Sequence, residues 1–389
     1  MLDDLKPAPK IDAPNSWRPA VEFDGTNGEA TTRGFLPDEQ PNFDEFLVEA
    51  GFDPALIEIV GEPRTSRWQV ARPFPLDPQW LTAYRFRFRK RTGTNPDLPL
   101  LFAEAKKTRP RTPKATANEK VFVVCLADFQ VGKVDYRGGS KELIQRVLAS
   151  YDRIEEQLKR GKYGRIYALD LGDIIEGIEN AASMTQLQTN DLSVMQQVDL
   201  AASLVWDFLK MATKYAPVTY ASIGSNHCQW RVNRQQIGKP GRDDWGIVIL
   251  QQLRRLATEV GLPVDFLVPH EQEESLIFDA FGDGFHLVGI AHGHQFSRPE
   301  NAVTWWRQNT FGNQTISAAS ILLTAHFHHL RVVEAGASHN GGSRFWVQAT
   351  TSDNGSSWFK RVSGEDSVPG ITCLELTKGL HYQGAVLKL

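Results

Sequence analysis

Val121-Phe122-Val123-Val124-Cys125-Leu126-Ala127-Asp128-Phe129-Gln130 runs through apolar side chains and then stops on an acid and an amide. So short an apolar run reads as a strand buried on both faces, and the polar groups after it must project from the strand's end. The same shape recurs downstream. Ile166 to Leu171 leads into Gly172-Asp173, and Val218 to Ile223 into Gly224-Ser225-Asn226-His227. Phe285 to Ile290 leads into Ala291-His292-Gly293-His294, and Ile321 to Thr324 into Ala325-His326-Phe327-His328. Carboxylates, imidazoles and amides at the ends of neighbouring strands would gather in one crevice. A binuclear metal site is the leading reading of such a set, and the order of the five segments is stronger evidence than any one of them.

The succession of Asp-x-Gln, Gly-Asp, Asn-His, His and His-x-His resembles the calcineurin-like metallophosphoesterases over about two-thirds of the chain, from Val121 onward. The resemblance implies a two-layer mixed β-sandwich flanked by helices, an α/β fold, with two divalent metals at the carboxyl ends of the strands and hydrolysis of phosphate esters. By position, Asp173 is the bridging carboxylate. Its two oxygens can touch cations about 3.5–4 Å apart, the spacing that clamps both attacking and leaving oxygens. Asp128, Gln130 and His328 would serve the first metal, and Asn226, His292 and His326 the second. His326 and His328 alternate with Phe327, so a β-like backbone would send both imidazoles to one face. His227 would contact the phosphate and protonate the leaving oxygen as general acid.

Gln130 stands where the pattern has His. An amide oxygen there suits Mn²⁺ or Mg²⁺ better than Zn²⁺, which leans the expected pair of ions towards Mn²⁺, with Mg²⁺, Fe²⁺ and Zn²⁺ as alternatives. Ser225, Ala325 and Cys228 are smaller departures within the same motifs. Arg231 and Arg234, just beyond His227, are candidates for holding a substrate phosphate, or else solvated loop arginines. His294 is either substrate-facing or a structural histidine.

A chain of 389 residues with 41% hydrophobic content is long enough for a large core and suggests two domains. No apolar run reaches the roughly 18 residues a membrane span needs. The opening Met1-Leu2-Asp3-Asp4-Leu5-Lys6 lacks the basic and apolar regions of a signal peptide, so a cytoplasmic protein is expected. Cys125, Cys228 and Cys373 are far apart, as reduced thiols would be and a disulfide framework would not.

The N-terminal third reads differently. Residues 1–38 lack periodicity and are expected to be a flexible tail, with one docked segment at Trp17 to Phe23. Residues 39–104 read as a small α+β module: a helix through Phe43, Phe46, Leu47 and Ala50, a second from Asp53-Pro54 through Ile57, then strands at Trp68 to Val70 and Leu81 to Phe88. That succession is winged-helix-like. Tyr84, Phe86 and Phe88 alternate with Arg85, Arg87 and Arg89, so a strand would show aromatics on one face and guanidiniums on the other. From Arg85 to Lys114 ten Lys or Arg face only Asp97 and Glu104, in a chain of net charge -3. Such segregation is the footprint of a phosphate-backbone surface. Residues 105–118 read as a basic linker and 119–389 as the metallophosphoesterase domain.

Within that domain Lys141 to Arg160, Leu192 to Tyr215 and Asp244 to Val260 have helical periodicity, and Ile371 to Leu376 and Ala385 to Leu389 should complete the second sheet. For substrate, the first reading is DNA, as for the SbcD-like DNA repair exonucleases and phage-type phosphoesterases whose active sites the chain resembles. The second is a small nucleotide, with Trp305 or Trp306 stacking on a base. The third is a noncatalytic interaction scaffold.

Overall fold

The computed structural model describes residues 19–25, 27–70, 72, 77–90, 119–179, 189–233, 235–339, 341–364 and 366–389. The chain divides into two compact units, Met1–Asn95 and Pro96–Leu389. Most of the basic stretch after Lys90, and the expected linker 105–118, lie outside the described residues.

The first unit holds β1 (Ala20–Phe23), β2 (Asn27–Thr31), α1 (Phe43–Glu49), β3 (Ile57–Val70) and β4 (Gln79–Lys90). The strands form one antiparallel sheet in the order β1-β2-β4-β3. Asn42 caps α1 by accepting from the Asp44 and Glu45 N–H groups, and those acids in the first turn suit the helix dipole. Leu47 of α1 is buried against Phe86 and Phe88 of β4.

Two expectations are corrected here. The supposed tail contributes β1 and β2, which escape a periodicity search because they are short and carry few apolar side chains, Val21, Phe23 and Ala30. Nor do the described residues form the winged-helix-like succession. Pro54–Leu56 makes a single 3₁₀ turn, and the β-branched Ile57 and Ile59 are drawn at once into pairing with Lys90 and Phe88.

The second unit begins with β5 (Lys120–Leu126), α2 (Ser140–Arg160), β6 (Arg165–Asp170), α3 (Val194–Ala212) and β7 (Val218–Ser222). A small hairpin, β8 (Arg231–Val232) and β9 (Gln235–Gln236), precedes α4 (Trp245–Val260), β10 (Val264–Leu267), β11 (Ser275–Asp279) and β12 (Leu287–Ala291). Then come α5 (Ala302–Phe311), β13 (Ile321–Thr324), β14 (Arg331–Ala337), β15 (Ser343–Gln348), α6 (Ser357–Ser363), β16 (Thr372–Thr377) and β17 (Leu387–Lys388).

Among the described residues these strands form a six-stranded sheet, β10-β7-β6-β5-β16-β17, and a five-stranded sheet, β11-β12-β13-β15-β14. Alternate side chains decide the layers. Val123, Leu169 and Ala221 of the first sheet meet Ile290, Leu323 and Val347 of the second in one buried cluster. The opposite side chains, Phe122, Val124 and Tyr220, pack under α2, α3 and α4 through residues such as Val147, Phe208 and Leu250. Leu322 and Trp346 on the outer face of the second sheet pack with Trp306 of α5. The unit is therefore a mixed β-sandwich flanked by helices, as expected. Each such buried Val, Leu or Ile contributes about 1.5–3 kcal/mol by leaving water.

The last strands are a correction. β16 runs antiparallel to β5, with Thr372 opposite Cys125, and β17 follows it, so both extend the first sheet rather than the second. The edge of β5 not covered by β6 was the free ladder, and β16 fills it. What matters for the site is direction. β5, β6, β7 and β10 are mutually parallel, as are β12, β13 and β15, so the carboxyl ends of each set point one way. No helix among the described residues is long and apolar enough to cross a membrane.

Candidate metal centre

Asp128, Asp173, Asn226, His292, His326 and His328 all follow the carboxyl ends of these parallel strands. The chain turns hard to deliver them. Asp128, Gln130, Asp173, His326 and His328 have positive φ, and the described chain has only two other non-glycine residues in that region, Asn233 and Asn313. Each such residue costs about 1–3 kcal/mol and persists only where its surroundings over-determine it. The His326-Phe327-His328 segment is thus not the β-like run expected. Its left-handed turns send His326 towards Asp173 and His292, and His328 towards Asp128 and Asp353. Gly172, at φ +96°, has no alternative residue: a Cβ there would lie 2.5 Å from the Ser225 Cβ and 2.6 Å from His292 Nδ1.

Four of the expected ligands converge. His292 Nδ1 lies 2.7 Å from the Leu171 carbonyl and donates to it, so Nε2 is the nitrogen that carries either a second proton or a lone pair for a metal. That Nε2 lies 3.0 Å from Asp173 Oδ2 and 2.9 Å from Asn226 Oδ1. A ligand atom of His326 joins them, with Asp173, His292 and His326 all within 4.8 Å of one another. Electron-rich atoms gathered this way repel unless positive charge sits among them. In the bare chain a proton does so. Burial opposes the charge on His292, but Asp173 outweighs it and raises the pKa to about 9. Burial and the neighbouring His292 hold His326 well below its ordinary value, so it keeps a lone pair. Two oxygens and two imidazole nitrogens fit a divalent transition metal.

Hydrogen bonds from below fix this half. Ser225 Oγ accepts from the Asp173 N–H (2.7 Å), which gives the departure at position 225 a role. Asp244 Oδ2 accepts from the Ser225 N–H (3.0 Å) while its Oδ1 caps α4 at Gly246. Asp170 accepts from the Gly172 N–H and the Ser222 hydroxyl. Burial pushes Asp170 up to about 7 and Asp244 up to about 8.

The other half is built differently. Asp128 accepts from the His326 N–H at 3.0 Å, and its nearer oxygen is 3.8 Å from His328 Nε2. Burial pushes it up to about 6, against the pull of His328 and His292. His328 Nδ1 is 3.3 Å from Asp353 Oδ2. Gln130, expected to offer its amide oxygen to a metal, instead has Oε1 2.6 Å from Lys133 Nζ. Lys133 also pairs with Asp353 at 2.7 Å. Burial works against the Lys133 charge, but Asp353 keeps its pKa above the usual value. The donors here do not fit a second ion, and the lean towards Mn²⁺ that rested on Gln130 falls with it.

His227 sits at the edge of the converging half. Its N–H donates to Asp173 Oδ1 at 2.8 Å, and its Nδ1 is 2.9 Å from the Glu176 carbonyl and 3.3 Å from Glu176 Oε2. Its Nε2 is 4.0 Å from Asp173 Oδ2. Burial disfavours the charge, but Asp173 and Glu176 together raise the imidazole to about 10. Cys228, beside it, is buried and takes no part in orienting the ring, which Glu176 does. Arg231 and His294 share a polar cluster: His294 Nε2 lies 3.1 Å from Glu274, Gln229 donates to the other Glu274 oxygen at 3.2 Å, and Arg231 donates to Gln229. Arg234 lies outside the described residues. Trp306 is buried with its N–H on the Ile316 carbonyl, so it is committed to the core and not to stacking. Trp305 packs against Phe296.

Sequence reading missed Lys133, Glu176, Asp244, Glu274 and Asp353. Asp353 had a usable signal, since it follows the strand Ser343–Gln348 just as the recognised ligands follow theirs.

No family model matches the chain, and no curated protein matches it. Among solved structures it is similar to a conserved uncharacterized protein from Streptococcus pneumoniae TIGR4, described as a predicted phosphoesterase. Identity is 10%, the TM-score is 0.25, and the match covers 69% of this chain and 97% of that one. So loose a likeness carries no argument about activity, which rests on the side chains themselves.

Proposed function

We propose that this chain is a metal-dependent phosphoesterase that hydrolyses phosphodiester bonds, with DNA as its substrate. One observation carries the proposal: His292 Nε2, Asp173 Oδ2 and Asn226 Oδ1 meet within 3.0 Å of the imidazole nitrogen, with His326 beside them. Asp173, Asn226, His292 and His326 would hold the ion, for which Mn²⁺, Fe²⁺ and Zn²⁺ are all suitable. When bound, such an ion supplies Lewis acidity towards a phosphate oxygen and makes water more acidic. With Nδ1 held by Glu176, the Nε2 of His227 is the atom that would donate to the leaving oxygen. Arg231 and His294 would contact the phosphate from the Glu274 side.

The choice of DNA is supported by the ten Lys and Arg between Arg85 and Lys114. It is weakened where Arg85 and Arg89 are already paired with Glu29 (3.6 Å) and Glu58 (2.9 Å). The commitment of Trp306 to the core removes one support from the small-nucleotide reading.

The test is to strip metal with a chelator, restore Mn²⁺, and measure turnover of bis(4-nitrophenyl) phosphate, 4-nitrophenyl phosphate, single-stranded DNA and duplex DNA. Metal-dependent cleavage of the diester and of DNA is expected, with DNA affinity falling with salt by a slope of about 0.9 per duplex phosphate contacted. Turnover confined to the monoester, or independent of metal, would overturn the reading.

A further inference from the structure

We propose that the Lys133 ammonium takes the place of a second metal ion, so that the site holds one divalent cation, in its Asp173, Asn226, His292 and His326 half. The inference rests on the phosphoesterase reading and deepens it.

Its basis is where the oxygens point. Gln130 Oε1 and Asp353 Oδ2, an amide and a carboxylate oxygen of the kind a hard cation takes, both lie within 2.7 Å of Lys133 Nζ. All three residues are buried, with Lys133 9% exposed. An ammonium and a divalent ion cannot share those oxygens, because at such distances in a buried site like charges repel strongly. His328 is drawn into the same arrangement, its two ring nitrogens facing Asp353 (3.3 Å) and Asp128 (3.8 Å). Among the described residues, three candidate carboxylate, imidazole or thiol ligand atoms come within 4.8 Å of one another at Asp173, His292 and His326 and not here. The positive φ of Gln130 shows that backbone strain is spent on aiming this side chain, although its oxygen goes to a lysine.

The amide also explains the departure at position 130. A carbonyl-type oxygen has two lone pairs and accepts from an ammonium over a broad range of directions, whereas a neutral imidazole offers a single lone pair that a metal would compete for. Gln130 and Lys133 thus form a matched pair. A fixed ammonium can do electrostatically what the missing ion would do, stabilising negative charge on a phosphate oxygen from a preorganised position.

The test counts metal and does not need turnover. The full chain is stripped with a chelator, reloaded with Mn²⁺, desalted, and measured by elemental analysis and electron paramagnetic resonance. One Mn²⁺ per chain with an uncoupled six-line spectrum is expected. Two ions with an exchange-coupled spectrum would overturn the inference while leaving the phosphoesterase reading intact. No bound Mn²⁺, and none of Fe²⁺ or Zn²⁺, would overturn that reading and this one with it. Lys133→Met combined with Gln130→His should take up a second ion, and Gln130→His alone, which leaves the ammonium in place, should stay at one. If the double variant melts like wild type and still binds one ion, Lys133 is not what excludes the second. Should the double variant fail to fold, the wild-type count still decides.

Discussion

The two halves of the site use the same residue types to opposite ends. Around His292 a carboxylate, an amide and two imidazoles turn towards a common point, and among the described residues no ammonium is hydrogen-bonded to them. Around Asp353 a carboxylate, an amide and an imidazole meet an ammonium that the chain itself provides. Ligand types in the right order are therefore not enough to define a metal site. What decides is whether the donors are left wanting a cation or already have one.

The comparison breaks most sharply at Asp173. Asp173→Asn should abolish hydrolysis and empty the converging half, because a neutral amide cannot balance a divalent ion; activity within about tenfold of wild type would sink the assignment. The same substitution leaves Lys133 and Asp353 paired, so the fold should persist, as a thermal melt would show.

His227 comes next in size. His227→Ala should lower the rate by roughly 10²–10⁴-fold, the usual contribution of a general acid, while metal content stays unchanged. Loss of the ion on this substitution would make His227 a ligand and extend the converging half to its edge.

Asp353→Asn attacks the other half. It leaves Lys133 buried without its carboxylate and should destabilise the fold by about 3–5 kcal/mol, the typical effect of removing one partner of a buried ion pair. Metal affinity in the His292 half should hardly move. A denaturant midpoint unchanged from wild type would mean that the ammonium is not committed to Asp353. The contrast between the halves would then fail.

Much of this was legible in the sequence, for a local reason. Each sandwich strand is a short apolar run, and the ligand follows within a few residues of its end, so strand and ligand are read together from Val121 to Asp128 or from Ile321 to His328. The helices at Ser140–Arg160 and Trp245–Val260 were visible by the same kind of periodicity. The second half of the site was not legible, because its defining contact joins Lys133 to a residue 220 positions away. Nothing local marks Lys133 as different from a solvated lysine. The first unit failed for another reason. β1 and β2 are short and carry few apolar side chains, Val21, Phe23 and Ala30, so there was little alternation to read.

The smallest expected effect concerns what lies beneath the converging half. Asp170 and Asp244 hold the Gly172 and Ser225 turns by accepting backbone N–H groups, and they do so buried. In an unfolded chain an aspartate loses its proton near about pH 4. In the fold burial raises Asp170 to about 7 and Asp244 to about 8. Between those limits the folded chain retains protons that the unfolded chain has released, so these two groups make stability fall as pH rises from 4 towards 8. Asp244→Asn keeps one oxygen, for either the Ser225 or the Gly246 N–H, so it lowers stability at every pH, but it has no proton to lose. It should flatten the decline of the urea midpoint between pH 5 and pH 8 without changing which metal binds. An equally steep decline in the variant would show that Asp244 is ionised in the fold, and that the converging half rests on a charge and not on a neutral hydrogen-bonded acid.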